Sequence, residues 1–211
     1  MRLDPVGRPF IGGALGLALL SAAAIGWMTA LFFVALGAFF AFFFRDPERS
    51  PSADDPAGAV VLAPADGKIL VAGAAEPGAA PPGVWQQISI FLSPMDVHVN
   101  RIPVSGQVTR VTYSPGKFLP AYRPDAATGN ERSEIWIDHS GQMVVARQIV
   151  GILARRVVCR VQTGAEVRAG DRFGIMKFGS RMDVFVPLSA TIRVGVGDAV
   201  RGGETVIAVL H

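Results

Sequence analysis

Apolar residues are concentrated at the start of this chain. No charged residue occurs between Pro9 and Phe44, and the run contains several phenylalanine pairs. A signal peptide has a shorter apolar core that ends in small residues, whereas this run ends in phenylalanines followed by Arg45. The pattern therefore predicts a membrane segment that stays in the mature protein.

The length of this run favours two short helices over one. A single helix over the whole run would be about 54 Å long, well beyond the roughly 30 Å hydrocarbon core of a bilayer. Two helices that turn near Ile25–Trp27 fit better and bring both flanks to one side. The basic residues of these flanks are Arg2, Arg8, Arg45 and Arg49. Because cytoplasmic flanks are usually basic, we expect residues 1–48 to form a hairpin anchor in the cell membrane, with the remaining chain at the cytoplasmic face. One tilted span with an interfacial turn is the alternative, and it would send the amino terminus to the other side.

Beyond the anchor, the pattern changes to short apolar or alternating runs. Residues 49–58 form a polar linker rich in proline and aspartate, and no later stretch keeps a helical period. Clusters of Gly, Pro and Asp separate the runs, as in Glu76–Gly83. The predicted strands are Ala59–Leu62, Lys68–Ala72, Gln87–Leu92, Gln107–Tyr113, Ser133–Ile137, Met143–Ile149, Arg156–Val161, Phe173–Met176, Asp183–Val186, Thr191–Val194 and Thr205–Leu210. Residues 59–211 are therefore expected to form a mainly β domain, a compact antiparallel barrel or sandwich.

Two similar segments near the C-terminus, Val167–Gly174 and Val194–Gly203, each combine a Gly-Asp turn with a return strand. This echo is similar to the β-hammerhead of biotinyl and lipoyl carriers, which attach their cofactor to a lysine beside methionine. Met176 and Lys177 offer such a pair, so a membrane-tethered carrier modified at Lys177 is one hypothesis. Against it, Phe178 follows the lysine where carriers have methionine, and a Gly-Ser pair comes next.

Composition narrows the functional classes. The formal net charge of +3 is compatible with a protein that acts at an anionic lipid surface. No basic run interleaved with aromatic residues supports a nucleic-acid partner. Cys159 is the single cysteine, so we expect a buried thiol and no internal disulfide. The three histidines lack the paired spacing of a zinc site, which disfavours a metallohydrolase, and no metal is expected. A homo-oligomer is compatible with the sequence.

The pair Gly179-Ser180 carries candidate chemistry. A serine hydroxyl can attack the carbonyl of the preceding residue, turn the amide into an ester and then eliminate, which leaves a pyruvoyl group on the new amino terminus. A preceding glycine has no Cβ to block the attack and permits unusual backbone angles. The dipeptide is also a common turn pair, so its meaning depends on the rest of the chain.

Other segments of the chain give this dipeptide its meaning. Four of them occur in order, and a fifth is an apolar strand that leads into a basic pair: Phe44–Arg49, Ala63–Lys68, Phe91–His98, Asn130–Arg132 and Gln148–Arg156. Together with Gly174–Arg181, they resemble the phosphatidylserine decarboxylases in their short, compact form, from about Phe43 to the end of the chain. The resemblance implies self-cleavage between Gly179 and Ser180, a covalent pyruvoyl cofactor made from Ser180, and conversion of membrane phosphatidylserine to phosphatidylethanolamine. It also implies that the large and small chains stay associated in one β fold.

The resemblance further implies the helpers of this serine. His98, at the end of a strand signal over Ser93–Val97, is the expected base, and Asp66 is the carboxylate that orients or charges it. Longer relatives carry a second histidine three residues on, where this chain has Arg101. Either His98 then serves both cleavage and later proton transfer, or Arg101 and a water take one role.

Cationic side chains are needed to meet the lipid phosphate and the substrate carboxylate. Lys117 and Arg132, which lie on glycine-rich or polar loops, and Arg101 are candidates, although a solvated charge is an equal alternative for Lys117 and Arg132. The segment Phe118–Gly129 mixes apolar residues with Pro and Asp, and it is a candidate substrate gate at the membrane interface.

Overall fold

The computed structural model describes residues 2–50, 59–152, 156–177 and 179–211. The chain divides into two compact units, Met1–Glu48 and Arg49–His211. Most of the linker predicted over residues 49–58 lies outside the described residues, as does Phe178.

The first unit consists of two apolar helices between two short strands. Its elements are β1 (Arg2–Leu3), a 3-10 turn (Pro5–Gly7), α1 (Arg8–Ala24), α2 (Trp27–Phe43) and β2 (Arg45–Asp46). Gly26 separates the helices with a φ of +141°, a conformation that favours glycine. The strands β1 and β2 pair antiparallel, which places the two ends of this unit side by side. Pro5–Ala24 is long and apolar enough to cross a membrane, and α2 is slightly shorter.

The second unit is built mainly from β-strands, which confirms the predicted fold class. Its elements are β3 (Val60–Leu62), β4 (Gly67–Ala74), β5 (Gln86–Leu92), β6 (Val99–Arg101), β7 (Gly106–Ser114), α3 (Ala126–Gly129), β8 (Arg132–His139), β9 (Gln142–Val150), β10 (Val157–Cys159), β11 (Glu166–Val167), β12 (Arg172–Met176), β13 (Ser180–Val186), β14 (Thr191–Ile192), β15 (Ala199–Val200) and β16 (Val206–Val209).

One curled antiparallel sheet organises this unit. Its strand order within the described ranges is β11-β7-β8-β9-β13-β5-β4-β15, and two three-stranded sheets, β10-β12-β6 and β14-β16-β3, complete the fold. The strand β13 lies in the middle, paired with β5 on one side and β9 on the other. A cut just before β13 would therefore fall at the end of a central strand.

Both faces of β13 are buried. Met182, Val184 and Val186 belong to the hydrophobic core on the inner face. The alternate residues Arg181 and Asp183 point to the outer face, because successive side chains of a strand point in opposite directions, and they are also buried. A central strand covered on both sides holds its first residue in a defined position.

Candidate active site

Ser180 is the first residue of β13 and lies opposite Leu92 of β5 and Val150 of β9. Its side chain shares the inner face with Met182 and is fully buried. Its hydroxyl oxygen has no hydrogen-bond partner among the residues that the structure describes. Leaving a buried hydroxyl unpaired costs about 1–3 kcal/mol, so most buried hydroxyls have a partner.

The peptide bond before Ser180 is held in a conformation that requires glycine. Gly179 has a φ of +74°, in the left-handed region that other residues rarely adopt. A Cβ built on Gly151 would overlap the carbonyl oxygen of Gly179, so this carbonyl lies directly over the backbone of Gly151. Two glycines therefore fix the bond that the sequence predicts to be cleaved.

His98 contacts Gly179, the residue before this bond. Its Nε2 accepts a hydrogen bond from the backbone N–H of Gly179 at 3.3 Å, and its Nδ1 lies 2.9 Å from the carbonyl oxygen of Asp96. Since a carbonyl can only accept, the proton resides on Nδ1, and the lone pair of Nε2 faces the Gly179-Ser180 segment. The structure thus joins two predicted site residues that are far apart in the sequence.

The turn before His98 differs from the sequence prediction. Ser93–Val97 does not form a strand. Asp96 closes a turn by donating its N–H to the carbonyl of Ser93, and its carboxylate accepts the Ser93 N–H at 2.8 Å. The next strand, β6, begins only after His98. The imidazole is therefore positioned by a turn whose own carbonyl fixes its tautomer.

Asp66 lies at the same end of the sheet as Ser180, since Lys68 and Arg181 both pair with Phe91. Its Oδ2 accepts from Arg49 at 2.9 Å and its Oδ1 from the Gly202 N–H at 2.8 Å. Burial raises the pKa of Asp66, and the Gly202 hydrogen bond and the Arg49 charge lower it. The Asp96 charge raises it further, and the net shift of the pKa is upward. In the described part of the chain, Asp66 hydrogen-bonds Arg49 and Gly202, and the negative charge of Asp96 also acts on it.

Arg101 is buried at the end of β6. Its Nη1 donates to the Gly170 carbonyl at 3.0 Å. A Cβ built on Gly203 would lie 2.6 Å from the Arg101 Cδ, so the side chain packs on the glycine turn that also binds Asp66. This position is on the Asp66 side of the site.

The other two predicted substrate-binding cations, Lys117 and Arg132, lie in different surroundings. Lys117 is exposed and forms an isolated bridge with Asn130. Arg132 lies opposite Ile149, which in turn pairs with Arg181, so its side chain leaves the outer face of the sheet, away from the Ser180 hydroxyl. There its guanidinium donates to the Thr128 carbonyl at 2.7 Å. The structure therefore does not bring Arg132 to Ser180.

Asn130 fixes the segment between Lys117 and itself. Its Nδ2 donates to the carbonyls of Leu119 and Val150, both at 2.8 Å, and its Oδ1 accepts from the Leu119 N–H at 2.9 Å. Since Val150 lies opposite Ser180, these bonds attach the segment to the strand beside the scissile bond.

Two buried side-chain amides, those of Gln148 and Asn100, are not predicted as site residues from the sequence. Gln148 donates to the Asn100 Oδ1 at 2.8 Å, across the space between β9 and β6. The Nδ2 of Asn100 and the Oε1 of Gln148 have no partner within the described residues. Gln148 lies opposite Met182, on the inner face that Ser180 shares. The signal available in the sequence was a glutamine that alternation places on the same face as the apolar Val144 and Ala146.

The outer face carries an ion cluster that was also missed. The Arg181 Nε donates to the Asp183 Oδ1 at 2.6 Å, and its Nη2 donates to Glu76 at 2.5 Å and to the Ser89 hydroxyl at 3.0 Å. Arg181, which follows Ser180, thus connects the start of β13 to Glu76 in the segment after β4. Within the described ranges, no three His, Cys, Asp or Glu residues are grouped as metal ligands would be.

Comparison with known proteins identifies relatives over nearly the whole chain. The family model described as phosphatidylserine decarboxylase matches residues 36–208, which include Asp66, His98 and Ser180. A Nitrosomonas europaea protein named phosphatidylserine decarboxylase proenzyme is 43% identical over 206 residues, which cover 97% of this chain and 94% of the relative. Proteins of the same name from Salinibacter ruber and Desulfotalea psychrophila are 44% and 40% identical, over 86% and 95% of this chain and 81% and 93% of their own lengths.

Proposed function

The chain belongs to the phosphatidylserine decarboxylase family and is a decarboxylase, and from that premise we propose that it cleaves itself between Gly179 and Ser180 and uses the pyruvoyl group made from Ser180 to decarboxylate phosphatidylserine. The observation that carries this proposal is the buried Ser180 hydroxyl, which has no hydrogen-bond partner among the described residues and lies next to Gly179, whose N–H donates to His98. The product is phosphatidylethanolamine, with release of CO₂.

The first step is an acyl shift. The Ser180 oxygen attacks the Gly179 carbonyl carbon while the Nε2 of His98 takes the hydroxyl proton, and the C–N bond breaks as the nitrogen of residue 180 receives a proton. The carbonyl is presented over Gly151, and Gly179 has no Cβ to shield it. The result is an ester between Gly179 and the Ser180 oxygen.

The second step is an elimination. A base removes the Cα proton of residue 180, the ester C–O bond breaks, and Gly179 leaves as a carboxylate. Uptake of one water and loss of one ammonia then convert the new terminus into the pyruvoyl group. His98 is the base that the structure offers beside this bond.

The residues present fit a pyruvoyl group at position 180. Backbone pairing with Leu92 and Val150 holds the new terminus, and His98 lies beside the adjacent Gly179. When bound, this group supplies an electrophilic carbonyl that accepts the substrate amine and withdraws electrons from the carbon that loses CO₂. The lone pair on the His98 Nε2 can hold and return a proton at that carbon.

The two chains produced by the cut are expected to stay together. The strand β13 begins the small chain, Ser180–His211, and is paired on both sides with strands of the large chain, β5 and β9. Its inner face contributes Met182, Val184 and Val186 to the common core. Separation would expose this core and break both ladders.

We also propose that residues 1–48 form a hairpin anchor and that residues 59–211 form the catalytic domain at the cytoplasmic face of the membrane. Pairing of β1 with β2 supports the hairpin, because it brings the basic flanks of the apolar run together. The anchor keeps the enzyme where its lipid substrate resides.

Turnover of phosphatidylserine by the full chain tests the proposed function. The unmodified protein should form phosphatidylethanolamine and CO₂, and Ser180→Ala should form neither. Ser133→Ala, at another buried serine, is the matched control and should retain turnover. Lys177→Arg should also retain it, since a carrier modified at Lys177 has no part in this chemistry. Turnover by Ser180→Ala would contradict the proposal.

A further inference from the structure

Four exposed apolar side chains surround the proposed cleavage site, and we propose that this rim, formed by Met95, Phe118, Tyr122 and Ile152, docks the catalytic domain onto an anionic lipid bilayer. The exposed fractions of these residues are 56%, 41%, 62% and 55%. The inference rests on the proposed function and deepens it, since it concerns how a substrate embedded in a bilayer reaches Ser180.

Each rim residue is attached to the site by a separate contact. Met95 lies on the turn that ends at Asp96, whose carbonyl holds His98. Ile152 follows Gly151, over which the carbonyl of Gly179 lies. These two short segments therefore converge on Gly179 from different parts of the sequence, and each presents a large apolar side chain to solvent.

The segment after Lys117 supplies the other two members. A Cβ built on Gly151 would lie 3.4 Å from the Ala121 Cβ, which places this segment against the strand end beside the scissile bond. The ring of Tyr122 packs edge-on against Phe91 with centroids 6.1 Å apart. Phe118 precedes Leu119, which Asn130 holds. The rim is thus anchored by buried neighbours while its side chains remain outside.

The positive charges beside the rim residues favour a lipid surface as the binding partner. Lys117 is exposed beside Phe118, and Arg156 is exposed a few residues beyond Ile152. Arg123, beside Tyr122, is paired with Asp125 at 2.8 Å, so this pair is locally neutral. Apolar side chains flanked by exposed cations match the interface of a bilayer that contains anionic lipid, into which apolar groups insert while the cations meet head groups.

The opposite end of the sheet provides matched controls. Leu188 follows the far end of β13, about 26 Å from Ser180 along an extended strand. The Gln86 side chain donates to the Leu188 carbonyl at 3.2 Å, and Val84 precedes Gln86. Leu188 and Val84 are 61% and 75% exposed, so they match the rim residues in exposure but not in position.

The test compares two ways of delivering substrate to the same protein. The full chain is reconstituted in phosphatidylglycerol-containing vesicles and given either long-chain phosphatidylserine in the bilayer or dihexanoyl phosphatidylserine from solution. The variant Phe118→Gln/Ile152→Gln should lose about tenfold or more of its rate on the bilayer substrate, because polar side chains forfeit insertion. Its rate on the soluble substrate should stay within about twofold, as for a surface substitution.

The control Val84→Gln/Leu188→Gln should retain both rates. Equal losses on the two substrates, or no loss on the bilayer substrate, would overturn the docking proposal. Absence of turnover of either substrate by the unmodified chain would instead overturn the proposed function.

A second measurement is independent of activity. Phe118→Trp and Leu188→Trp are compared in vesicles of phosphatidylglycerol and brominated phosphatidylcholine. Additional quenching at position 118, relative to the unmodified chain, and none at position 188 supports docking. Equal quenching at both positions, or at neither, contradicts it, and the latter result would leave a protein partner or a second copy as the occupant.

Discussion

His98 accepts a hydrogen bond from the backbone N–H of Gly179 at 3.3 Å, although the two residues are separated by most of the β domain in sequence. The contact places a neutral imidazole one residue before the bond that is proposed to be cleaved, and the Asp96 carbonyl fixes which of its nitrogens is basic. The proposed self-cleavage would thus have a basic nitrogen one residue from the scissile bond in the uncut chain.

Removal of this base should stop processing. His98→Gln is expected to slow cleavage by about 10²–10⁴-fold, the usual contribution of a positioned general base. The measurement is the fraction of cut chain over time on a denaturing gel. His139→Gln is the matched control, because His139 instead contacts the Ser105 carbonyl, and it should be cut like the unmodified chain. Normal cleavage of His98→Gln would assign the base to another group.

The decrease of the cleavage rate at acidic pH should depend on Arg49. Ionised Asp66 adds negative charge near the His98 turn, and protonation at low pH removes it, so cleavage should slow as pH falls through the pKa of Asp66. The Arg49 charge lowers this pKa against the dominant effect of burial. Arg49→Met should therefore move the acidic midpoint of the cleavage rate to higher pH.

Arg49→Lys is the control for this shift, since it retains the charge and should restore most of the original profile. The pH dependence of the cleavage rate gives the answer. An unchanged midpoint in Arg49→Met would show that the charge of Asp66 does not act on the cleavage step.

Gly151 should be intolerant of any side chain. In Gly151→Ala the new Cβ overlaps the Gly179 carbonyl, so the scissile bond must move, and cleavage should slow by about 10²-fold, as for a displacement of about 1 Å. Gly195→Ala is the control, because a Cβ there meets nothing closer than 3.8 Å. Cleavage time courses and thermal melts of both variants separate misplacement from unfolding. Rapid cleavage of Gly151→Ala would contradict the proposed role.

Arg181 should be needed for stability rather than for chemistry. Arg181→Met leaves the carboxylate of Asp183 buried without its partner, which typically costs about 3–5 kcal/mol. Adding Asp183→Leu removes the stranded charge and should recover much of that loss. Thermal unfolding followed by circular dichroism measures both variants. If the double variant is no more stable than Arg181→Met, the ion pair does not account for the effect.

Much of the β domain could be predicted because its strands alternate. The structure places β5 and β9 within one residue of the predicted ends. The strand β13 was predicted from Asp183 but begins at Ser180, because Arg181 looks like a loop residue until its partners Asp183 and Glu76 are known. Ion pairing with residues from other parts of the fold allows the charge of Arg181 to be buried, and a pattern along the chain does not show such partners.

The site was predictable in its residues but not in its contacts. Ser180 and His98 follow from the family resemblance, and the structure brings His98 to Gly179, the residue before Ser180. The sequence does not show that Arg49 is the partner of Asp66. Arg49 falls in the predicted linker, yet its guanidinium binds the Asp66 carboxylate at 2.9 Å. Such contacts depend on the fold, because they join residues that no local pattern connects.

Intact mass under denaturing conditions tests the central claim most directly. The purified active protein should give two chains, of which the smaller spans residues 180–211 and is lighter than the corresponding serine peptide by about 17 Da, the mass of one ammonia. Ser180→Ala should give one uncut chain. A single full-length chain from an active preparation, or a small chain that begins with unmodified serine, would contradict the account.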